Sequence, residues 1–336
     1  MSGPSTAAPA APAAAATARF SGAQQRLLAF AGLIALVAAF SLASPNFLQT
    51  SNVLAVLQAA SVNGVLAIAS TLVIITGGID LSVGTLMTFC AVIAGTVLTK
   101  GGLPLPLGVL AALASGAASG VCSGAFVAKL KVPPFIATLG MMLILKGLSL
   151  VISGTRPIYF NRTPGFTDIA QGSLVGAALP GVPLPNGVLV LFAVALFAHV
   201  VLKRTLLGRY TVALGSNEEA VRLSGVDTDR WKIAVYTLTG ALCGVAGLLI
   251  ASRLNSAQPA LGQGYELEAI AAVVIGGTSL SGGRGTVVGT LIGTLIIAVL
   301  ANGLRILSVA PEWQTVVTGS IIVLAVYTDM LRRRRA

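Results

Sequence analysis

The sequence predicts an all-α integral membrane protein of about ten transmembrane helices, on three observations. Of its 336 residues only 9% are charged and 55% are hydrophobic, with a mean hydropathy of +0.92, whereas a soluble domain carries about 25% charge. No charged residue occurs between Arg26 and Asp80; a helix needs about 20 apolar residues to cross a bilayer, so this gap has room for two. Glycine reaches 39 residues, as expected where helices pack in lipid through small faces.

The elements follow in order. Residues 1–20, rich in Ala, Pro, Ser and Thr, read as a disordered tail, and 21–336 as the transmembrane domain. Arg19 and Arg26 precede the apolar run 27–43. Ser41 and Ala43 resemble a signal-peptide cleavage site, but the basic-flanked run reads better as a first span. Further apolar segments lie at 51–76, 81–99, 105–128, 134–153, 187–202, 232–252, 266–280, 286–301 and 313–330. Glycine interruptions leave the count open by about two.

Basic residues set the orientation. With both termini inside, the inner loops hold Arg19, Arg26, Lys129, Lys131, Lys203, Arg204, Arg209, Arg222, Arg230, Lys232, Arg284 and the run Arg332 to Arg335. The outer loops hold Lys100, Arg156, Arg162, Arg253 and Arg305. Fifteen against five satisfies the positive-inside rule. The net charge of +11 is thus a topology signal in short clusters, and it does not point to nucleic acid. The same topology places 154–186, with Pro157, Pro164, Pro180, Pro183 and Pro185, outside. A connector of that length is either functional or a passive flap.

Soluble chemistry finds no support. The nearest P-loop candidate, GTSLSGGR from Gly277, has Gly283 where Lys is required. GRGTVV from Gly283 has Val288 where the dinucleotide fingerprint needs Gly. There is no catalytic triad or metal-ligand spacing: Cys90, Cys122 and Cys243 read as packing residues, and His199 as an interfacial one. The chain is not expected to be an enzyme or to bind a cofactor.

Four of the ten acidic residues, Glu218, Glu219, Asp227 and Asp229, crowd into GSNEEAVRLSGVDTDRW, 215–231. Ser216 and Glu219 have capping-box spacing, which predicts a helix from about Asn217. Ala220, Val221 and Leu223 supply an apolar face, and Gly225 can end the helix in the left-handed conformation. A solvated connector helix is the plain alternative.

Asp80 is the most unusual single residue, because a charge at the bilayer centre costs about 2.5–3.5 kcal/mol. Either it caps a helix starting at Leu81 after the Gly77-Gly78 break, or it lines a polar path with Ser82 and Asn63. Asn63 also fits a simple interhelical hydrogen bond. Lys146 either snorkels outward or pairs with a carboxylate. TGGIDLSVGT (76–85) is echoed weakly by IGGTSLSGGRGT (275–286).

GRYTVALGSNEEAVRLSGVDTDRWKIAVYTLTGALCGVAGLLIASRLNSAQPALGQGYELEAIAAVVIGGTSLSGGRGTVVGTLIGTLI (208–296) closely resembles the permease subunit of ribose-type ABC importers, as do GGIDLSVG (77–84) and VPPFIATLGMM (132–142). The resemblance implies a permease in the bacterial inner membrane that pairs with itself or a homologue. ATPase subunits would use the ATP, and a periplasmic binding protein would deliver a sugar. It also implies that the 203–231 segment carries the coupling helix, with Ser216, Asn217, Glu218, Glu219, Ala220, Arg222, Leu223 and Gly225 as coupling positions. Candidate path residues are Asn63, Gly77, Gly78, Asp80 and Ser82. The rivals are an ion-coupled secondary sugar transporter, for which Asp80 is the lone coupling carboxylate, and a passive channel.

Overall fold

The computed structural model describes residues 22–179 and 181–334; the 1–20 tail lies outside them. The apolar runs fold as helices because lipid offers no partner for a backbone polar group. They are α1 (Gly22–Ala43), α2 (Thr50–Ile75), α3 (Val83–Gly95, prolonged by a π-helical turn over Thr96–Lys100), α4 (Leu105–Ala128) and α5 (Pro134–Ser153). A strand β1 (Ile158–Tyr159) and a short α6 (Leu174–Ala178) precede α7 (Asn186–Arg204), α8 (Leu206–Leu223) and α9 (Thr228–Leu254). Strand β2 (Ser256–Ala257), α10 (Tyr265–Ile275), α11 (Val287–Ile306) and α12 (Pro311–Arg334) complete the chain.

Among the described residues seven helices are long and apolar enough to cross a membrane: α2, α3 with its π turn, α4, α5, α7, α9 and α11. The ten apolar runs of the sequence all become helices, with one correction. The run 266–280 is not a full span, since α10 has 11 residues. At 1.5 Å per residue it covers about 16 Å of a core about 30 Å thick. Glycines Gly276 and Gly277 end it.

Helices α2, α3, α9 and α11 form the buried centre, and α4, α5 and α7 flank it. Close backbone approach explains much of the glycine. Gly116, Gly120 and Gly124, four residues apart on α4, lie against Gly240, Tyr236 and Ile233 of α9, where any Cβ would overlap backbone. Without a hydrophobic driving force between helices in lipid, such tight contact supplies the dispersion energy. A second core, with Phe40, Phe47, Val56 and Leu300, fastens α1 to α2 and α11.

The 154–186 connection is largely built structure. β1 pairs antiparallel with β2, setting Ile158 opposite Ala257. Phe160 and Phe166 stack with centroids 3.7 Å apart and are buried. Ser252 at the end of α9 accepts from the Ala170 amide and donates to the Thr167 carbonyl. The first half of the loop is therefore locked onto α9, while Leu174, Leu179 and Val182 beyond it are exposed.

Candidate functional site

The acidic segment sits at the end of the bundle where α2 finishes and α11 starts. Helix α8 is two helices joined at Asn217, whose φ of −163° and ψ of 95° are extended. Asn217 Oδ1 accepts from the Ala220 amide at 3.0 Å, so Asn217 is the N-cap of a helix over 218–223. This corrects the expected capping box. Ser216 Oγ donates instead to the Val212 carbonyl, in the turn behind it. Gly225, at φ +84°, ends the helix as expected. Its amide donates to Arg222 O, and the Val226 amide donates to Val221 O, the paired bonds of a Schellman ending.

All four acids have assigned work. Glu218 Oε2 accepts from Lys232 Nζ at 2.6 Å and ties the short helix to α9. Asp227 Oδ1 accepts from the Arg230 amide and starts α9. Asp229 meets Lys131 of the α4–α5 turn at 2.7 Å. Glu219 and Arg222, both exposed, pair at 2.7 Å, and the bond and charge of Glu219 hold the guanidinium above its ordinary pKa. Val221 turns half inward, whereas Ala220 and Leu223 face out, with Leu223 79% exposed. The product is a short, doubly capped helix with an apolar tip beside a self-neutralised ion pair.

The polar interior is organised around the two broken helices. Asp80 is buried, and its Oδ1 accepts from the Ser82 amide at 2.8 Å and the Ser82 hydroxyl at 2.6 Å. The helix begins at Val83, not at Leu81, so Asp80 organises the turn ahead of the helix and does not cap α3 itself. Thr138 of α5 stitches this turn in place, donating to Ile79 O and accepting from the Leu81 amide. Gly77, at φ +82°, makes the break possible, and Gly78 lies under the Tyr236 hydroxyl.

Asn63 does make an interhelical bond. Its Nδ2 donates to Glu268 Oε2 of α10 at 2.7 Å. Glu266 and Glu268 open an apolar run, which hides them in the sequence. The signal that marks them is two carboxylates in a first helical turn. Glu266 is buried and folds back to accept from the Gly264 amide. Lys146 pairs with neither carboxylate: its Nζ donates to Gln263 Oε1 at 3.0 Å. Thr85, Thr88 and Gly262 lie around this bond. Cys90 and Cys243 are buried as packing residues, but Cys122 is exposed on α4. His199 lines a small cleft with Lys203 and Thr286.

The echo between 76–85 and 275–286 has a structural counterpart. Gly77 donates to Ile74 O and Gly78 to Val73 O, while Gly277 donates to Val274 O and Thr278 to Val273 O. Gly77 thus matches Gly277, one residue later than the Gly-Gly alignment suggests.

A bundle of apolar helices with half-helices broken at glycines and a capped helix outside the bundle describes a membrane transporter. Residues 52–326 match the family model described as "Branched-chain amino acid transport system / permease component". The chain is 47% identical over 310 residues to the ribose import permease protein RbsC of Escherichia coli strain K12, covering 91% of this chain and 93% of that protein. It is 43% identical to the ribose import permease protein RbsC of Bacillus subtilis strain 168, covering 92% and 94%. It is 36% identical to the fructose import permease protein FrcC of Rhizobium meliloti, covering 90% and 84%. No solved structure matches. The chain belongs to this permease family, as an ABC importer permease subunit of the ribose type.

Proposed function

We propose that this permease carries a monosaccharide or polyol across the bacterial inner membrane, and that ATPase subunits drive it through the helix over 218–223. A periplasmic binding protein delivers the sugar at the end bearing the 154–186 loop. The α8 end and both termini are cytoplasmic, by the basic-residue bias. A second permease copy or homologue completes the path, and ATP is used by the ATPase rather than bound here.

The observation that carries the reading is the exposed tip. Leu223 stands in water on a helix that is fixed by the Glu218–Lys232 pair, the Asn217 cap and the Gly225 ending. A rigid helix with one apolar knob suits a groove in a partner. Ser216 sits behind the hinge, and Glu218 through Leu223 with Gly225 form the docking unit. ATP binding to the partner shifts the permease only by binding its two states differently, and the halves then rock about the central path.

Asn63, with Glu268, and Gln263, with Lys146, supply hydrogen-bonded polar groups to that path. Gly77, Gly78, Asp80 and Ser82 form its inner turn. Weak contacts of this kind suit an uncharged, hydroxyl-rich substrate. An ion-coupled mechanism through Asp80 is the rival, and ATP-driven uptake surviving in Asp80→Asn excludes it. The main test is copurification from native membranes. An ATPase subunit is expected with wild type and is expected to be lost with Glu219→Arg or Gly225→Trp. Wild type arriving alone under gentle conditions would falsify the coupling reading.

A further inference from the structure

Three distant pieces of backbone meet directly behind the hinge at Asn217. They are the last turn of α2 with Gly77, the Gly282-Gly283 stretch of the α10–α11 connection, and Gly215 of α8. The Gly283 amide donates to the Ile75 carbonyl at 2.8 Å, crossing from one broken-helix turn to the other. Gly215 lies flat on this bond: a Cβ there would overlap both the Ile75 oxygen and the Gly283 nitrogen. Gly282, at φ +83°, has no room for a Cβ either, since it would stand 2.8 Å from the Gly215 Cα and 2.8 Å from the Gly77 amide nitrogen. A Cβ on Gly283 would meet Ser216 Oγ at 2.7 Å. At Gly215 and Gly282 the contact is backbone against backbone, with no side chain to yield by changing rotamer.

We propose that Gly215 is the positioning residue that transmits movement of the 218–223 helix to both broken helices at once, as a rigid three-way backbone junction. The proposal deepens the coupling reading above and rests on it. On one side, Gly215 is two residues from the hinge. On the other, Ile75 ends α2, which carries Asn63, and Gly283 belongs to the connection that joins α10, which carries Glu268, to α11. Asn63 lies 12 residues up α2 from Ile75, about 18 Å at 1.5 Å per residue. The Asn63–Glu268 bond and the 2.7 Å Thr71–Thr290 bond bind α2 to α10 and α11 along that length. A displacement at Gly215 therefore moves both polar-lined helices together. Packed backbone of this kind does not deform continuously, so the junction moves as one piece.

The test uses the full transporter in proteoliposomes with its ATPase and binding protein. Gly215→Ala is expected to keep the ATPase bound and hydrolysing, while sugar carried per ATP falls at least about tenfold, within the usual range of coupling between sites. Wild-type uptake per ATP in Gly215→Ala, with the ATPase still bound, overturns the junction and leaves the coupling reading standing. An ATPase that fails to bind even wild type sinks the coupling reading instead. Where Gly215→Ala does not reach the membrane, a cross-link decides. Ser216→Cys with Gly283→Cys, in a Cys122→Ala background, is oxidised across the junction. A rigid junction keeps uptake within about twofold of the reduced protein, far inside the range expected for lost coupling. Uptake that disappears on oxidation and returns on reduction means that the junction opens during the cycle, and overturns the proposal.

Discussion

Seven of the ten acids of this protein fall into two groups that obey different physics. Glu218, Glu219, Asp227 and Asp229 lie in water or at its edge, each held by a nearby cation or by a helix-start amide. Asp80, Glu266 and Glu268 lie inside the bundle, and the hydrogen-bond donors that reach them are neutral: Ser82, the Gly264 amide and Asn63. In water, screening and side-chain entropy keep an ion pair weak, so a surface acid shapes recognition more than stability. In the bundle, desolvation makes a missing donor expensive, so an interior acid ties its helices together. One residue type thus serves docking at the surface and architecture within.

The contrast orders a set of substitutions. Asn63→Leu strips Glu268 of its donor and is expected to cost most, about 2–3 kcal/mol, read as lowered thermal stability in detergent. Adding Glu268→Leu should recover part of that loss. A double variant no better than the single one would break the contrast. Ser82→Ala removes one of two donors to Asp80 and leaves the backbone amide, for an expected loss of about 1–2 kcal/mol in the same assay.

At the surface the losses shrink. Asn217→Ala deletes the cap of the short helix and is expected to cost about 1 kcal/mol, appearing as faster local amide exchange over 218–223, with Asn217→Ser close to wild type. Lys131→Met cuts the exposed pair with Asp229 and is expected to change stability by less than about 1 kcal/mol, an effect that fades with added salt. A loss as large as that of Asn63→Leu would erase the distinction between the two groups.

Much of this was legible in the chain. Ten apolar runs became ten helices, and GSNEEAVRLSG became a capped helix ending at Gly225. The failures were local in a telling way. Ser216 had the spacing of a cap, but its hydroxyl found Val212 O in the preceding turn and left Asn217 to cap. Asp80 was two residues too early to cap α3, because the chain turns before it coils. Glu266 and Glu268 opened a stretch greasy enough to pass for a span, although α10 stops after half the bilayer.

The sequence by itself determined the membrane class, the places where helices start and break, and the position of the acidic segment. Hydropathy, proline, glycine and capping chemistry act over a few residues, so they can be read along the chain. Only the tertiary structure decided that Asn63 would meet Glu268, 205 residues away, and that Gly215 would lie across the Ile75–Gly283 bond. Those contacts depend on which helix faces pack and at what depth, and packing is set by the whole bundle at once.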